Sequence, residues 1–139
     1  MIIVDTGVFL ALFNKRDTHH DAAKRAFGSV SDPLITTYPV ITETCYMLTR
    51  LVNQSAERRF LSAVAQNVAA TFHLNQQHLE RMVLLMEKYE DLPMDFADAS
   101  LVVLAEHLGH GRILTVDRTD FSVYRWNATQ PFQNLLDNF

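Results

Sequence analysis

The first thirteen residues hold the pattern that most constrains the fold. Residues 2–4 form a short β-branched apolar run, which is typical of a strand buried on both faces in a parallel sheet. The run ends at Asp5, Thr6 and Gly7 turn the chain, and residues 8–13 (VFLALF) predict a buried helix of two turns. This order places a carboxylate at the carboxyl end of a strand, where open α/β sheets bind ligands. An acid among apolar neighbours is costly unless it is paired, so we expect a partner for Asp5 elsewhere in the chain.

Length and composition indicate one globular domain over residues 1–139. Of the 139 residues, 48% are hydrophobic and 20% are charged, which excludes a disordered chain. The net charge of −4 argues against nucleic-acid binding through an overall basic surface, but it is compatible with a nuclease that has a local acidic site. The single cysteine, Cys45, is expected to be a small core residue. No segment has the length and apolarity of a membrane span or the features of a signal peptide, so a cytoplasmic protein is expected.

Strand and helix patterns alternate along the remaining chain, which predicts a single-domain three-layer α/β/α sandwich with a central, mostly parallel sheet. One helix, over residues 76–89, is expected to bury a stripe at positions 79, 82, 83, 86 and about 89. The pattern does not decide whether residues 121–124 or residues 132–136 form an edge strand. The other predicted elements are a helix over 21–27, a strand over 34–36, a helix over 39–52 capped by Thr37, a helix over 56–66 capped by Ser55, a strand over 70–74, the helix over 76–89 capped by Asn75, a helix over 95–108 ended by Gly109, and a strand over 112–116.

Four acidic residues occupy similar places in this pattern. Asp5 and Asp117 end the first and fourth strands, and Glu43 lies early in the helix after the second strand. The carboxyl ends of parallel strands and the starts of the following helices share one edge, so these three are expected to converge. Asp98 joins them if its helix begins at that edge. Clustered carboxylates raise one another's pKa, and Mg²⁺, which takes oxygen ligands, relieves this conflict and supports phosphodiester hydrolysis.

Each acid also has a purely structural interpretation. The basic residues have one structural and one functional interpretation. The alternatives are a turn cap for Asp5, a solvent-facing position for Glu43, a capping box of Asp95 with Asp98, a turn begun by Asp117, and for Asp120 either a cap of the turn over 121–124 or a carboxylate beside the site. Lys15, Arg16, His19 and His20 form either a solvated face or an RNA phosphate contact, and Arg112, Arg118 and Arg125 are similar candidates nearer the acids.

Four segments combine these acids: IIVDTGVFLAL, ITETCYML, MDFADASLVVLAE and RILTVDRTDF. In them the chain resembles the PIN-domain ribonucleases, most of all the VapC-type toxins of bacterial toxin–antitoxin pairs, and the resemblance spans essentially the whole chain. It implies a PIN-like fold and an endoribonuclease that depends on Mg²⁺ or Mn²⁺. The implied acidic quartet is Asp5, Glu43, Asp98 and Asp117, with Asp5 and Asp98 as principal metal ligands.

The resemblance has further implications for the site and its partners. Thr6 and Thr115 fall where a hydroxyl assists the acids. The family also implies an RNA substrate, inhibition by a small antitoxin that inserts a basic side chain near the acids, and a homodimer formed through helices. The expected mechanism is in-line hydrolysis at phosphorus, in which Asp5 and Asp98 hold the metal while Glu43 and Asp117 orient water.

Two other classes of protein fit parts of the pattern. Haloacid dehalogenase-type phosphotransferases also place an Asp after the first strand, but they need a second Asp where this chain has Gly7. Receiver domains need an acidic pair near the start and an acceptor Asp after a middle strand. The remaining alternative is a catalytically silent PIN-fold binding or regulatory module, which metal binding without turnover would support.

Overall fold

A five-stranded parallel sheet forms the centre of the computed structural model, which describes residues 1–139. The strand order is β3-β2-β1-β4-β7, and every neighbouring pair is parallel. A separate antiparallel pair joins β5 to β6. The strands are β1 (Ile2–Val4), β2 (Leu34–Thr37), β3 (Ala70–Phe72), β4 (Arg112–Leu114), β5 (Arg125–Trp126), β6 (Gln130–Pro131) and β7 (Gln133–Asn134).

Helices flank this sheet and bury both of its faces. Successive strand residues point to opposite faces, and Ile2, Ile3 and Val4 are all buried. The structure therefore confirms the predicted α/β fold with a central parallel sheet. The helices are α1 (Thr6–Phe13), α2 (His20–Ser29), α3 (Tyr38–Leu51), α4 (Gln54–Ala65), α5 (Gln76–Lys88), α6 (Phe96–Leu108), α7 (Arg118–Val123) and a 3₁₀ helix (Leu135–Asn138). None of them is long and apolar enough to cross a membrane.

The helix ends follow the predicted capping chemistry with one exception. Thr37 and Asn75 accept hydrogen bonds from the backbone amides of Val40 and His78, as N-caps do. Gly109 ends α6 at φ 77°, the left-handed conformation that glycine adopts most readily. The prediction of Ser55 as a cap was wrong, because Asn53, an equally good cap, starts α4 two residues earlier by accepting from the Ala56 amide at 2.8 Å.

Aromatic packing fixes α1 against the neighbouring helices. Phe9 lies with its ring centroid 5.1 Å from Phe60 and 6.0 Å from Phe27, and Phe13 lies 5.6 Å from Phe60. Phe9 and Phe60 are fully buried. These edge-on and tilted contacts are the arrangements that aromatic quadrupoles favour. The carboxyl-terminal half of α1 is therefore held by the core, and its first turn is directed toward the carboxyl edge of β1.

Four other sequence predictions need correction. In α5, Met82 and Leu85 are buried, whereas Leu79, Val83 and Met86 are 44%, 56% and 37% exposed. The helix packs on α6 through a face rotated from the predicted stripe, so only Met82 and Tyr89 of that stripe are buried. Cys45 is half-buried against the core, not enclosed by it. Strand β4 ends at Leu114, two residues earlier than predicted. Residues 121–124 belong to α7 and its end, so of the two candidates for an edge strand only 132–136, which contains β7, forms one.

Candidate active site

A cavity of about 320 Å³ lies at the carboxyl edge of β1, where α1, α6 and α7 begin. The structure brings all four residues of the predicted quartet to this cavity. Asp95 and Asp120 also line it, and no Lys, Arg or His side chain does. The six acids are Asp5, Glu43, Asp95, Asp98, Asp117 and Asp120. An uncompensated cluster of this size favours the binding of a cation.

Asp5 is the most enclosed acid of the cluster, with 7% of its surface exposed. It is the N-cap of α1, and its Oδ1 accepts a hydrogen bond from the Thr6 amide at 2.7 Å. Its Oδ2 accepts from the Thr115 hydroxyl at 2.8 Å. The turn-cap interpretation is thus correct for one oxygen, while the second is held by a residue 110 positions away. Both contacts fix the orientation of the carboxylate.

Close packing beside Asp5 explains the glycine that follows in the first turn of α1. A Cβ atom on Gly7 would lie 2.3 Å from Cγ2 of Val116. Only a residue without a side chain lets the start of α1 approach the segment after β4 this closely. Gly7 therefore sets the separation between the two segments that carry Asp5 and Asp117.

Asp98 forms the capping box that the sequence indicated. The Asp98 amide donates to Oδ1 of Asp95 at 2.8 Å, and Oδ2 of Asp98 accepts from the Asp95 amide at 3.3 Å. Asp95 is the N-cap of α6, and Asp98 is the third residue of that helix. Asp98 was expected to reach the other acids only if its helix begins at their edge of the sheet. The helix does begin at the cavity, and Asp98 lines it.

Glu43 and Thr6 face the cavity from different helices. Glu43, in the second turn of α3, is half-buried, which disagrees with the solvent-facing alternative. The Thr6 hydroxyl is buried and makes no hydrogen bond of regular geometry within the protein, although it lies near enough to the Glu43 carboxylate to lower the pKa of that group. A buried hydroxyl without such a bond is uncommon and marks a place for a water or a ligand. This group lies in the lining of the acid cavity.

Asp117 caps the short helix α7. It does not end a strand directly, because β4 stops three residues before it. Its Oδ1 accepts from the Asp120 amide at 3.1 Å, so the cap is Asp117 and not Asp120. Asp120 is half-buried at the cavity beside Asp117. The structure therefore favours the second interpretation of Asp120, a further carboxylate beside the site.

Burial and nearby carboxylates raise the pKa of Asp5, Glu43 and Asp98 in this cavity. Burial, opposed by hydrogen bonds from Thr115 and Thr6, raises the pKa of Asp5 to about 6. Burial and the nearby Asp95 and Asp5 carboxylates raise the pKa of Asp98 to about 8. The pKa of Glu43 is also raised, first by burial and then by Asp95.

Asn134 is a contributor that sequence reasoning missed. Its side chain donates to the Thr115 carbonyl at 2.9 Å and accepts from the Thr115 amide at 3.2 Å. Thr115 in turn donates to Asp5 and accepts from the Asp117 amide at 2.9 Å. The only available signal was an Asn at the end of a short strand-like segment, a pattern without specificity for a site.

The basic candidates lie outside the acid cavity. Arg112 pairs with Asp32, Arg118 pairs with Asp137 at 2.8 Å, and Arg125 donates to three carbonyls of its own turn. A separate cleft between the end of α1 and α4 contains three cationic side chains and one of the histidines. They are Lys15, Arg16, Arg59 and His20. This cleft lies at the far end of α1, about 12 Å from its first turn at 1.5 Å per residue.

The donor set of the cavity fits a hard divalent cation. Every potential ligand is a carboxylate or hydroxyl oxygen, which Mg²⁺ and Mn²⁺ accept, and the buried Thr6 hydroxyl lacks a hydrogen bond of regular geometry. No three His, Cys, Asp or Glu side chains are arranged to ligate one ion together. Mg²⁺ commonly retains several waters and takes only one or two carboxylates directly.

Comparisons with known proteins agree with this geometry. The PIN domain family matches residues 2–127. Ribonuclease VapC26 of Mycobacterium tuberculosis (strain ATCC 25618 / H37Rv) is 31% identical over 124 residues, which cover 89% of this chain and 92% of that protein. The crystal structure of Mycobacterium tuberculosis VapC20, a sarcin-ricin loop cleaving toxin, has a similar fold, with a TM-score of 0.80, 23% identity, and coverage of 86% of this chain and 92% of that chain. The chain therefore belongs to the PIN-domain family, among its VapC-type members.

Proposed function

We propose that this protein is a Mg²⁺-dependent endoribonuclease, with Mn²⁺ as an accepted substitute, and the toxin of a toxin–antitoxin pair. The observation that carries the proposal is the single cavity lined by six acids and no basic side chain. Membership of the PIN family and the 31% identity to a protein named a ribonuclease support RNA as the substrate.

Asp5 and Asp98 are the residues that we assign to the metal. Both line the cavity, and both have raised pKa values that a bound cation would lower. When bound, Mg²⁺ would polarise a phosphoryl group and lower the pKa of water. Thr6 and Thr115 hold the two oxygens of Asp5, so that its carboxylate is fixed before substrate arrives.

Glu43 and Asp117 are assigned to water. Their carboxylates face the same cavity from α3 and from the start of α7. Burial and the Asp95 carboxylate raise the pKa of Glu43 above its usual value. A carboxylate within reach of water can accept its proton. Water so oriented attacks phosphorus in line with the leaving oxygen. Asp95 keeps Asp98 in place through the capping box.

The cleavage test uses purified protein with structured RNA and a DNA of matched sequence, in Mg²⁺, in Mn²⁺ and in EDTA. We expect RNA cleavage that requires metal and is lost in Asp5→Asn and Asp98→Asn. Asp21→Asn, an exposed acid in the first turn of α2, is the matched control and should cleave as wild type. Cleavage by Asp98→Asn at the wild-type rate would contradict the assignment, and metal binding without any cleavage would favour the silent module.

A basic antitoxin is the proposed protein partner. An acidic cavity without basic lining residues attracts a cationic side chain as well as a metal. Binding of a candidate antitoxin, measured by calorimetry, should inhibit cleavage, weaken as salt rises and weaken in Asp98→Asn. Affinity that responds to neither change would contradict this partner.

A homodimer is proposed through the exposed apolar face of α3 and α5. Tyr46, Leu79 and Val83 are 60%, 44% and 56% exposed on these helices. Tyr46 and Leu79 line one pocket, and exposed apolar side chains that lie together in this way indicate a protein contact. Sedimentation velocity should report a dimer that Val83→Glu dissociates, whereas a wild-type monomer would refute this assembly.

A further inference from the structure

We propose that Asn134 is a positioning residue of the acid cavity: it fixes the backbone of Thr115, so that the Thr115 hydroxyl holds Asp5 for hydrolysis. This inference rests on the proposed function and adds a residue to its site. Asn134 does not line the cavity, and it lies beyond the residues 2–127 that match the PIN family.

The Asn134 side chain makes three hydrogen bonds, two of them to one residue. Its Oδ1 accepts from the Thr115 amide at 3.2 Å and from the Leu136 amide at 3.1 Å, and its Nδ2 donates to the Thr115 carbonyl at 2.9 Å. The opposite amide orientation would set donors against donors, so the three contacts fix which atom is the oxygen. The side chain thus pairs with both peptide groups of Thr115, much as a neighbouring strand would.

Thr115 needs this contact because of where the strands end. Strand β4 ends at Leu114, and in the parallel pair Ile113 lies opposite Asn134. Thr115 is fully buried one residue beyond the strand, where water does not reach its peptide groups. The Asn134 side chain extends the pairing by that residue, and loss of a partner for a buried amide or carbonyl is costly.

The Thr115 hydroxyl connects the fixed Thr115 backbone to two acidic residues through hydrogen bonds. Its single proton is donated to Oδ2 of Asp5 at 2.8 Å, and its oxygen accepts from the Asp117 amide at 2.9 Å. The position of the hydroxyl depends on the Thr115 backbone, and Asn134 holds that backbone. A small displacement of catalytic groups is sufficient to reduce a rate, so a residue outside the cavity controls its geometry.

The first test compares three variants on an RNA that the wild-type protein cleaves. Asn134→Ala should lower kcat about 10-fold with KM unchanged, because Asn134 does not line the cavity where RNA reacts. It should also weaken Mn²⁺ binding measured by calorimetry. Asn134→Ser keeps a short acceptor near the Leu136 amide and should show the same loss if Asn134→Ala does not fold. Gln133→Ala, an exposed neighbour in β7, is the matched control and should behave as wild type.

A double-mutant cycle distinguishes positioning from a general structural role. Thr115→Val removes the hydroxyl and keeps the shape of the side chain. If Asn134 acts through Thr115, adding Asn134→Ala to Thr115→Val lowers kcat no further, whereas independent effects would multiply. Multiplying effects would overturn the proposal and assign Asn134 to the fold alone.

The remaining outcomes separate this inference from the proposed function. Wild-type cleavage together with equal kcat and Mn²⁺ affinity in Asn134→Ala and Gln133→Ala would overturn the role of Asn134 and leave the nuclease intact. A wild-type protein that neither cleaves RNA nor binds Mn²⁺ would overturn the nuclease, and the positioning role with it.

Discussion

The two ends of α1 contribute to the stability of the fold with opposite signs. At the carboxyl-terminal end, Phe9 and Phe13 pack on Phe60 with ring centroids 5.1 and 5.6 Å apart. At the amino-terminal end, Asp5 is buried among five other acids with no cation in the lining. The first region stabilises the folded state, whereas the second destabilises it in the absence of a cation.

This difference shows how a short helix supports a costly site. A helix of eight residues is marginal by itself, and packing of its apolar side holds it in place. The apolar end anchors the helix, and the helix in turn presents the Thr6 amide to the buried carboxylate. Buried like charges destabilise the fold at the cavity, and apolar packing stabilises it one turn away. Functional sites commonly combine such a destabilising cluster with stabilising surroundings.

The largest effect is expected from breaking the anchoring end. Phe60→Ala removes a fully buried ring that contacts both Phe9 and Phe13, and should lower the free energy of unfolding by about 3–5 kcal/mol. Urea denaturation measures this change. Leu61→Ala, at the exposed next position of α4, is the control and should cost far less. Equal losses in the two variants would contradict the anchoring role of the aromatic cluster.

Neutralising Asp5 should instead raise the free energy of unfolding. The folded pKa of about 6 exceeds the model-compound value of 3.8, so the folded state holds its proton more tightly than the unfolded state. Stability is therefore lost as pH rises from about 4 through about 6, and the full penalty of about 3 kcal/mol applies above that range. In EDTA at pH 8, Asp5→Asn should be more stable than wild type by up to that amount.

The pH and metal dependence of this gain provide its control. At about pH 2.5, more than one unit below the model-compound value of 3.8, the Asp5 carboxyl is protonated in both states, so the stabilising effect of Asp5→Asn should vanish there. Saturating Mg²⁺ at pH 8 should stabilise wild type more than the variant, because binding to the folded state adds to its stability. Thermal unfolding measures both changes. A gain that is the same at both pH values would show that repulsion and burial of charge are not its cause.

The smallest of the three effects is expected at Gly7, between the two regions. A Cβ at Gly7 would lie 2.3 Å from Val116, so Gly7→Ala should cost about 1–3 kcal/mol despite the higher helix propensity of alanine. It should also reduce cleavage, since Val116 precedes Asp117. Gly28→Ala in α2 is the matched control, because nothing lies within 4 Å of the new Cβ. This control should gain about 0.5–1 kcal/mol, and a similar gain at Gly7 would refute the close approach.

Local chemistry explains which parts of the structure the sequence predicted. The β-branched run of β1, the caps Thr37, Asn75 and Asp95, and Gly109 all depend on neighbouring residues in the chain, and the structure has each of them. The placement of Asp5, Glu43 and Asp117 at one edge followed from the rule for parallel sheets. Their roles in metal binding and catalysis stay predictions.

Tertiary packing explains what the sequence did not predict. The predicted stripe of α5 is only partly buried: Met82 and Tyr89 lie in the core, whereas Leu79, Val83 and Met86 are exposed. The orientation of α5 is decided by its contact with α6. The contact of Asn134 with Thr115 joins residues 19 positions apart through strand pairing, and no local pattern encodes it. Asn53 rather than Ser55 begins α4 because two adequate caps lay close together and only one had extended backbone geometry.

The contact between Asp5 and Thr115 has a consequence for synthesis of the protein. A ribosome produces Asp5 110 residues before the hydroxyl that holds it. Strand β1 also lacks its partner β4 until residues 112–114 have been made. Chains emerge amino terminus first, so the cavity cannot assemble while most of the polypeptide is being translated. The acid cavity therefore cannot form before residue 117 has been made, and its complete hydrogen-bond network also needs Asn134.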